Sequence, residues 1–421
     1  MLPNPDKPNP GTNATSWLNR TVLGAGLTSG LGDFCYEITT VILPGFLEVL
    51  GLSADILGLI EGIADAVASF SKMLSGYIAD RIGHRKQLVV LGYALTPVGQ
   101  VLIALAGGWL LILLGRTVSW FGKGLRGPLR DAIVIQAVSP ATKGRAFGFH
   151  RAADSIGSVL GPLLGVALLQ WIPAMHPTSR ADVFRLVLWF SVIPGLCAAL
   201  AFATLVHDPE DSSNPALLVA RSLRSMPERF KHYLGAVGLF ELGNASHSLL
   251  ILAATSLLIP SYGMVKAAQL AGLLYVWRNL MQVLLSYPAG FLADRLGHQR
   301  MLVLGYSLGA LTALVTAVAF WLDSASLLLV IFTLAGTYTS IDEALAATVP
   351  AEMVSKDQLV FSYGALGLTR GVAKFVSSAS AGLIWTKLSP ILAFGLMTLF
   401  MGIGTVAMQR LKSAQASAIR L

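Results

Sequence analysis

Charge is scarce in this chain. Lys, Arg, Asp and Glu make up 12% of its 421 residues, against a soluble norm of about 25%. Hydrophobic residues make up 54%, and mean hydropathy is +0.68. A soluble domain of this length could not hide so much apolar side chain behind so few charges, which places the chain in a lipid bilayer. Cysteine is limited to Cys35 and Cys197, both within apolar runs, so no disulfide framework is implied. The histidines lack metal-ligand spacing, and no metal is expected. Gly122-Lys123 is not a phosphate loop, because Thr117 and Gly124 occupy the places where that loop needs Gly and Ser or Thr. No nucleotide cofactor is expected, which leaves an ion gradient as the energy source. Gly24, Gly26 and Gly30 have helix-packing spacing, unlike a dinucleotide loop. No nucleophile–base pair reads as a catalytic site, so an enzyme is not expected. The polar, proline-rich start (Pro3, Asn4, Pro5, Asp6, Lys7, Pro8, Asn9) lacks the apolar core of a cleavable leader. The first span is therefore expected to direct insertion.

What the chain does have is long apolar runs. A membrane helix needs about 20 residues. Segments meeting this are 20–49, 53–78, 87–107, 109–138, 146–171, 182–205, 233–258, 266–293, 299–321, 325–348, 358–385 and 389–409. Connections such as Gly51-Leu52 and Asp323-Ser324 are short enough to make sequential helices antiparallel neighbours. The one long polar stretch lies at the midpoint. The predicted organisation is an all-α membrane protein of 12 spans: a six-helix bundle over 1–205, a cytoplasmic linker over 206–232 with an amphipathic helix around 216–230, and a second six-helix bundle over 233–421. Net charge is +8. Alternate connections divide the basic residues very unevenly, with 17 Lys and Arg in one set and only Arg180, Lys266 and Lys387 in the other. That bias puts both termini in the cytoplasm, which requires an even number of spans. The basic residues are thus topological signals, and no nucleic-acid partner is expected.

The stretch Gly76-Tyr77-Ile78-Ala79-Asp80-Arg81-Ile82-Gly83-His84-Arg85 returns half a chain later as Gly290-Phe291-Leu292-Ala293-Asp294-Arg295-Leu296-Gly297-His298-Gln299. A charged turn repeated in two membrane bundles is an architecture of secondary transporters. Gly76 would admit a neighbouring helix, and Gly83 would permit the reversal between spans. The pattern resembles the loop signature of the major facilitator superfamily, and the resemblance covers essentially the whole chain. It implies that Asp80 latches the two halves in an outward-facing state. Gly76, Asp80, Arg81, Gly83 and their counterparts Gly290, Asp294, Arg295, Gly297 would form the gating turns. A second element, Gly157-Ser158-Val159-Leu160-Gly161-Pro162-Leu163-Leu164-Gly165, resembles the glycine–proline element of antiporter branches. Glycines four apart allow tight helix crossing, and Pro162 can bend its helix. The chain departs from the antiporter pattern in span four. Trp120, not glycine, stands four residues after Arg116, so Arg116 is not assigned a coupling role.

Ionisable groups inside spans cost at least about 2.5 kcal/mol each, so each needs a reason. This chain keeps ten bases and nine acids there. Near balance argues for pairing around a wet cleft between the halves. Asp33 and Glu37 are four apart on one helix face, as are Arg126 and Arg130. His150, Asp154, Gly157, Gly161 and Gly165 form one stripe. Lys72 and Arg185, near span ends, are expected to snorkel. By resemblance, spans one, four, seven and ten line the cleft, which places Asp33, Glu37, Arg126, Arg130, Asp131, Glu241, Asp342 and Glu343 against substrate. The expected proton-coupling set is Asp33, Glu37, Asp154, Glu241, Asp342 and Glu343. The expected basic cavity set is Arg126, Arg130, Arg278, Arg370 and Lys374.

The reading that follows is a monomeric transporter in a prokaryotic inner membrane that works by alternating access. It exchanges protons for a small polar or amphiphilic organic solute and exports that solute. Two alternatives stay open. One is proton-coupled uptake of an anionic metabolite. The other is a polytopic membrane enzyme or a channel.

Overall fold

The computed structural model describes residues 17–82, 85–139, 142–175, 179–207, 226–345, 348–355 and 359–418, with the side chains of 76–82, 173–175, 359–361 and 412–418 left outside. Among the described residues there is no strand. The first half comprises α1 (Arg20–Val49), α2 (Ala54–Ile82), α3 (Arg85–Ala104), α4 (Trp109–Gln136), α5 (Lys143–Met175) and α6 (Arg180–Leu205). The second comprises α7 (Glu228–Glu241), α8 (His247–Tyr262), α9 (Met264–Leu296), α10 (His298–Trp321), α11 (Leu328–Leu345), the short α12 (Thr348–Ala351), α13 (Leu359–Lys387) and α14 (Pro390–Ala418). These make twelve spans in two six-helix bundles. Most of the expected linker, 208–225, lies outside the described residues.

Local chemistry sets several helix ends. Asn19 starts α1 by accepting from the Val22 N–H at 2.9 Å, and its amide donates to the Ala137 carbonyl at the end of α4. Ser179 caps α6 through the Asp182 N–H. Gly297, in the second copy of the repeated turn, has φ +93 and lets α9 reverse into α10 without β-carbon strain.

Span seven differs from its expected form. The expected single helix over 233–258 breaks at 242–246 into α7 and α8. Gly243 packs closely on α14, where a β-carbon would lie 2.6 Å from Met401 Cγ. Ser246 leaves the helix to cap α8. The signal was present, since Gly243, Asn244 and Ser246 are helix-breaking and capping residues.

Among the described residues, six spans are long and apolar enough to cross a membrane on composition alone: α3, α5, α6, α10, the segment containing α11, and α14. The long helices α1, α2, α4, α9 and α13 carry most of the buried charge. Large apolar side chains such as Leu110, Leu196, Leu200 and Trp321 are exposed on the outer surface. Asp33, Glu37, Arg126 and Asp342 are buried or half-buried instead. The expectation that these charges point away from lipid is met.

The apolar core shows how the bundles meet. On the side away from the termini, one continuous cluster joins both halves, with Val41, Phe46, Leu57 and Ile60 packed with Leu257, Ala268 and Tyr275. On the terminus side the cores are separate. Val89, Tyr93, Leu129 and Phe202 belong to the first bundle, and Phe230, Tyr306, Leu345 and Met408 to the second. Among the described residues the bundles are therefore sealed by apolar packing at the far end and share no apolar cluster at the parted terminus end. The seal runs along α2 and α13, where a β-carbon on Gly62 would lie 3.0 Å from the Phe375 carbonyl oxygen. At its outer limit the Asp55 N–H donates to Thr386 Oγ1 at 3.0 Å. The paired variant Asp55→Cys/Thr386→Cys should cross-link under mild oxidation and halt transport, with recovery on reduction. Full activity in the cross-linked protein would show that this seal never opens.

Candidate functional site

At the apex of the parted region, carboxylates of the first bundle reach partners in the second. Glu61, 2% exposed on α2, accepts from Arg116 Nε at 2.8 Å and from Arg116 Nη2 at 3.2 Å. The same carboxylate accepts from Ser246 Oγ, at the break in span seven, at 3.0 Å. Arg116 also donates to Thr40 and lies 3.6 Å from the centre of the Trp120 ring. Trp120 Nε1 donates to Asp65 at 3.0 Å, and Asp65 pairs with Lys374 of α13 at 3.3 Å. Glu37 accepts from Tyr275 of α9 at 3.0 Å. Asn279 of α9 donates to the Ser158 carbonyl of α5 at 2.7 Å. Four polar links thus join the bundles where the apolar seal ends, and three of them hold a carboxylate.

Two clusters flank this apex. In the first bundle, Arg130 donates to Ser29 and pairs with Asp131 at 3.1 Å. Ser29 in turn hydrogen-bonds Asp154. His150 lies 3.7 Å from Asp154 and 4.0 Å from Asp131. Arg126 donates to Thr96 at 2.6 Å and faces the Tyr93 ring. Lys123 lies 3.8 Å from the centre of the Tyr36 ring. In the second bundle, Arg370 grips Asp342 with two hydrogen bonds, of 3.1 and 2.8 Å, and lies 3.6 Å from Glu241. Two carboxylates thus face one guanidinium. Asn244, inside the break, donates to both Glu241 and Tyr338.

Each expected residue has a definite place. Asp33 and Glu37 share the inner face of α1. The glycine stripe of α5 packs along α1, where a β-carbon on Gly161 would lie 2.8 Å from the Phe34 carbonyl oxygen and one on Gly165 3.0 Å from Val41 Cγ1. Helix α5 runs unbroken through Pro162. Glu343 is exposed and accepts from Gln282, apart from the central links. In the first gating turn, Gly83 and the side chains of Gly76, Asp80 and Arg81 lie outside the described residues. In the second, no heavy atom of the described residues lies within 4 Å of a β-carbon built on Gly290. Among the described residues, Asp294 keeps its partners within the second bundle. It bonds His298 at 3.1 Å, and His298 reaches Glu352 at 2.6 Å. Arg295 lies over the Phe291 ring.

The Major Facilitator Superfamily profile matches residues 24–267 and 245–418. The chain belongs to this superfamily. An uncharacterized MFS-type transporter of Methanocaldococcus jannaschii is 27% identical over 383 residues, which is 90% of this chain and 91% of that protein. The multidrug resistance protein MdtH of Photorhabdus laumondii is 34% identical over 151 residues, 36% of this chain and 37% of that protein. The crystal structure of the nucleoside transporter NupG (D323A mutant) aligns with a TM-score of 0.72 at 14% identity, covering 93% of this chain and 99% of that one. At that identity the likeness shows the fold alone.

Within this facilitator fold, sequence reasoning left Glu61, Asp65 and Arg116 out of the expected site. All three are charges at bilayer depth, so the signal existed. Trp120, which counted against Arg116, is the residue that stacks on it and links it to Asp65. Tyr275, Asn279 and Ser246 gave no comparable signal, because a lone hydroxyl or amide in a membrane helix is common.

Proposed function

We propose that this transporter is a proton-coupled antiporter that exports a small amphiphilic organic solute. The observation that carries the reading is that Glu37, Glu61 and Asp65 of the first bundle each hold a partner in the second, at the depth where the bundles part. Rocking the bundles to open the far side must break these contacts. Charge-assisted hydrogen bonds are about twice as strong as neutral ones, so loss of the carboxylate charge weakens the closed arrangement. A carboxylate that trades its partner for a proton therefore couples protonation to the rocking step. With the terminus side cytoplasmic, as the basic connections indicate, the present state loads solute from the cell interior. The partial match to multidrug resistance protein MdtH and the tight glycine crossing of α5 on α1 agree with export.

The test uses everted vesicles with an acid lumen and a quenched acridine dye. A transported solute should discharge the gradient as protons leave and solute enters. Equal discharge by vesicles without the protein would remove the proton-coupling reading. A second reading, proton-driven uptake of an anionic metabolite, is favoured by Lys123, Arg126 and Arg278. Among the described residues, none of these forms an ion pair with a carboxylate. Acidifying the opposite side would then drive accumulation.

A further inference from the structure

We propose that the pocket behind the break in span seven, together with Arg278, binds an amphiphilic organic anion, with the apolar end in the pocket and the anionic end on the guanidinium. The inference rests on the transporter reading and names its substrate class. Beside the break lies a pocket bordered by residues of α10, α11 and α14. Its walls are mostly apolar, with Phe394, Met397, Met401 and Ala313 among them. Methionine adapts to varied apolar shapes. Gly309 at its edge is closely packed, since a β-carbon there would lie 2.9 Å from both Met401 Cε and Phe240 Cζ.

The lip of the pocket holds the charge. His247 and Thr339 line the pocket, and both accept from Arg278 Nη2, at 2.9 and 2.7 Å. A guanidinium only donates, so His247 Nε2 must be the acceptor and its ring is neutral. The remaining partners, Asn279 and Gln282, are also neutral. Arg278 is 4% exposed, and its Nε is buried without a hydrogen-bond partner among the described residues. Arg116, Arg370 and Lys374 each face a carboxylate. Arg126, like Arg278, has neutral partners, but the pocket is not lined by it or by its neighbours. A buried guanidinium beside an apolar pocket calls for an anion carrying an apolar group. The partnerless Nε is the donor left for an entering carboxylate.

The full chain in nanodiscs, with empty nanodiscs as the blank, would be titrated with butanoate, hexanoate and octanoate, and with hexan-1-ol and hexylamine. Affinity should rise roughly four-fold per methylene, and the alcohol and amine should bind at least about tenfold more weakly than hexanoate. Ala313→Phe should flatten the chain-length dependence and spare butanoate. Arg278→Gln should remove the preference for hexanoate over hexan-1-ol. Should Ala313→Phe fail to fold, Thr316→Leu fills the same space. An unchanged length dependence in the filled variant, equal binding of alcohol and carboxylate to the parent protein, or no binding above the blank would overturn the assignment. The assay needs no pH gradient, so its failure is distinct from failure of proton coupling.

Discussion

Arg116→Met should lower the unfolding free energy by about 3–5 kcal/mol, the usual cost of leaving one partner of a buried ion pair alone. Glu61 is 2% exposed and has two hydrogen bonds from this guanidinium. Without it the carboxylate keeps only Ser246. The loss should appear as a lower midpoint in thermal unfolding of the purified protein. Combining Arg116→Met with Glu61→Gln should recover most of it, because no uncompensated charge remains. A single variant as stable as the parent would mean that water reaches Glu61 and that the apex is not dry. A double variant no better than the single one would place the loss in packing, since Arg116 also stacks on Trp120.

Glu37→Gln should reduce proton-driven transport at least about tenfold, the equivalent of 1.4 kcal/mol. The amide can still accept from Tyr275, so the link between bundles survives in form. What is lost is a charge that can appear and vanish. Solute exchange at equal pH on both sides needs no net proton movement, so it should persist. The measurement is therefore a pair of rates from one preparation, gradient-driven transport and exchange. Equal loss of both would make Glu37 a packing or substrate-contact residue. Preservation of both would shift the proton-carrying role to Glu241 and Asp342 around Arg370.

Much of the fold was legible because bilayer physics leaves few choices. Backbone groups must be satisfied within each span, so long apolar runs become helices. The repeated turn at Asp80 and Asp294 revealed the duplication. The inward placement of Asp33, Glu37, Arg126 and Asp342 was legible for the same reason, since lipid exposure costs too much. The partners were not. Lys374 meets Asp65 and Arg370 meets Asp342, yet nothing along the chain distinguishes those pairings from the reverse. The break in span seven was signalled by Gly243, Asn244 and Ser246, but a hydropathy pattern alone reads straight through it.

The sequence by itself determined the number of spans, their division into two similar sets and the need for a wet interior. Those follow from transfer energies, which depend on composition and length. Only the tertiary structure decided which end of the cleft is sealed, which carboxylates cross between bundles and where an apolar pocket meets an unmatched guanidinium. Those depend on hydrogen-bond geometry at about 3 Å. The rotation and tilt of each helix set such geometry through its packing, and residue order leaves them open.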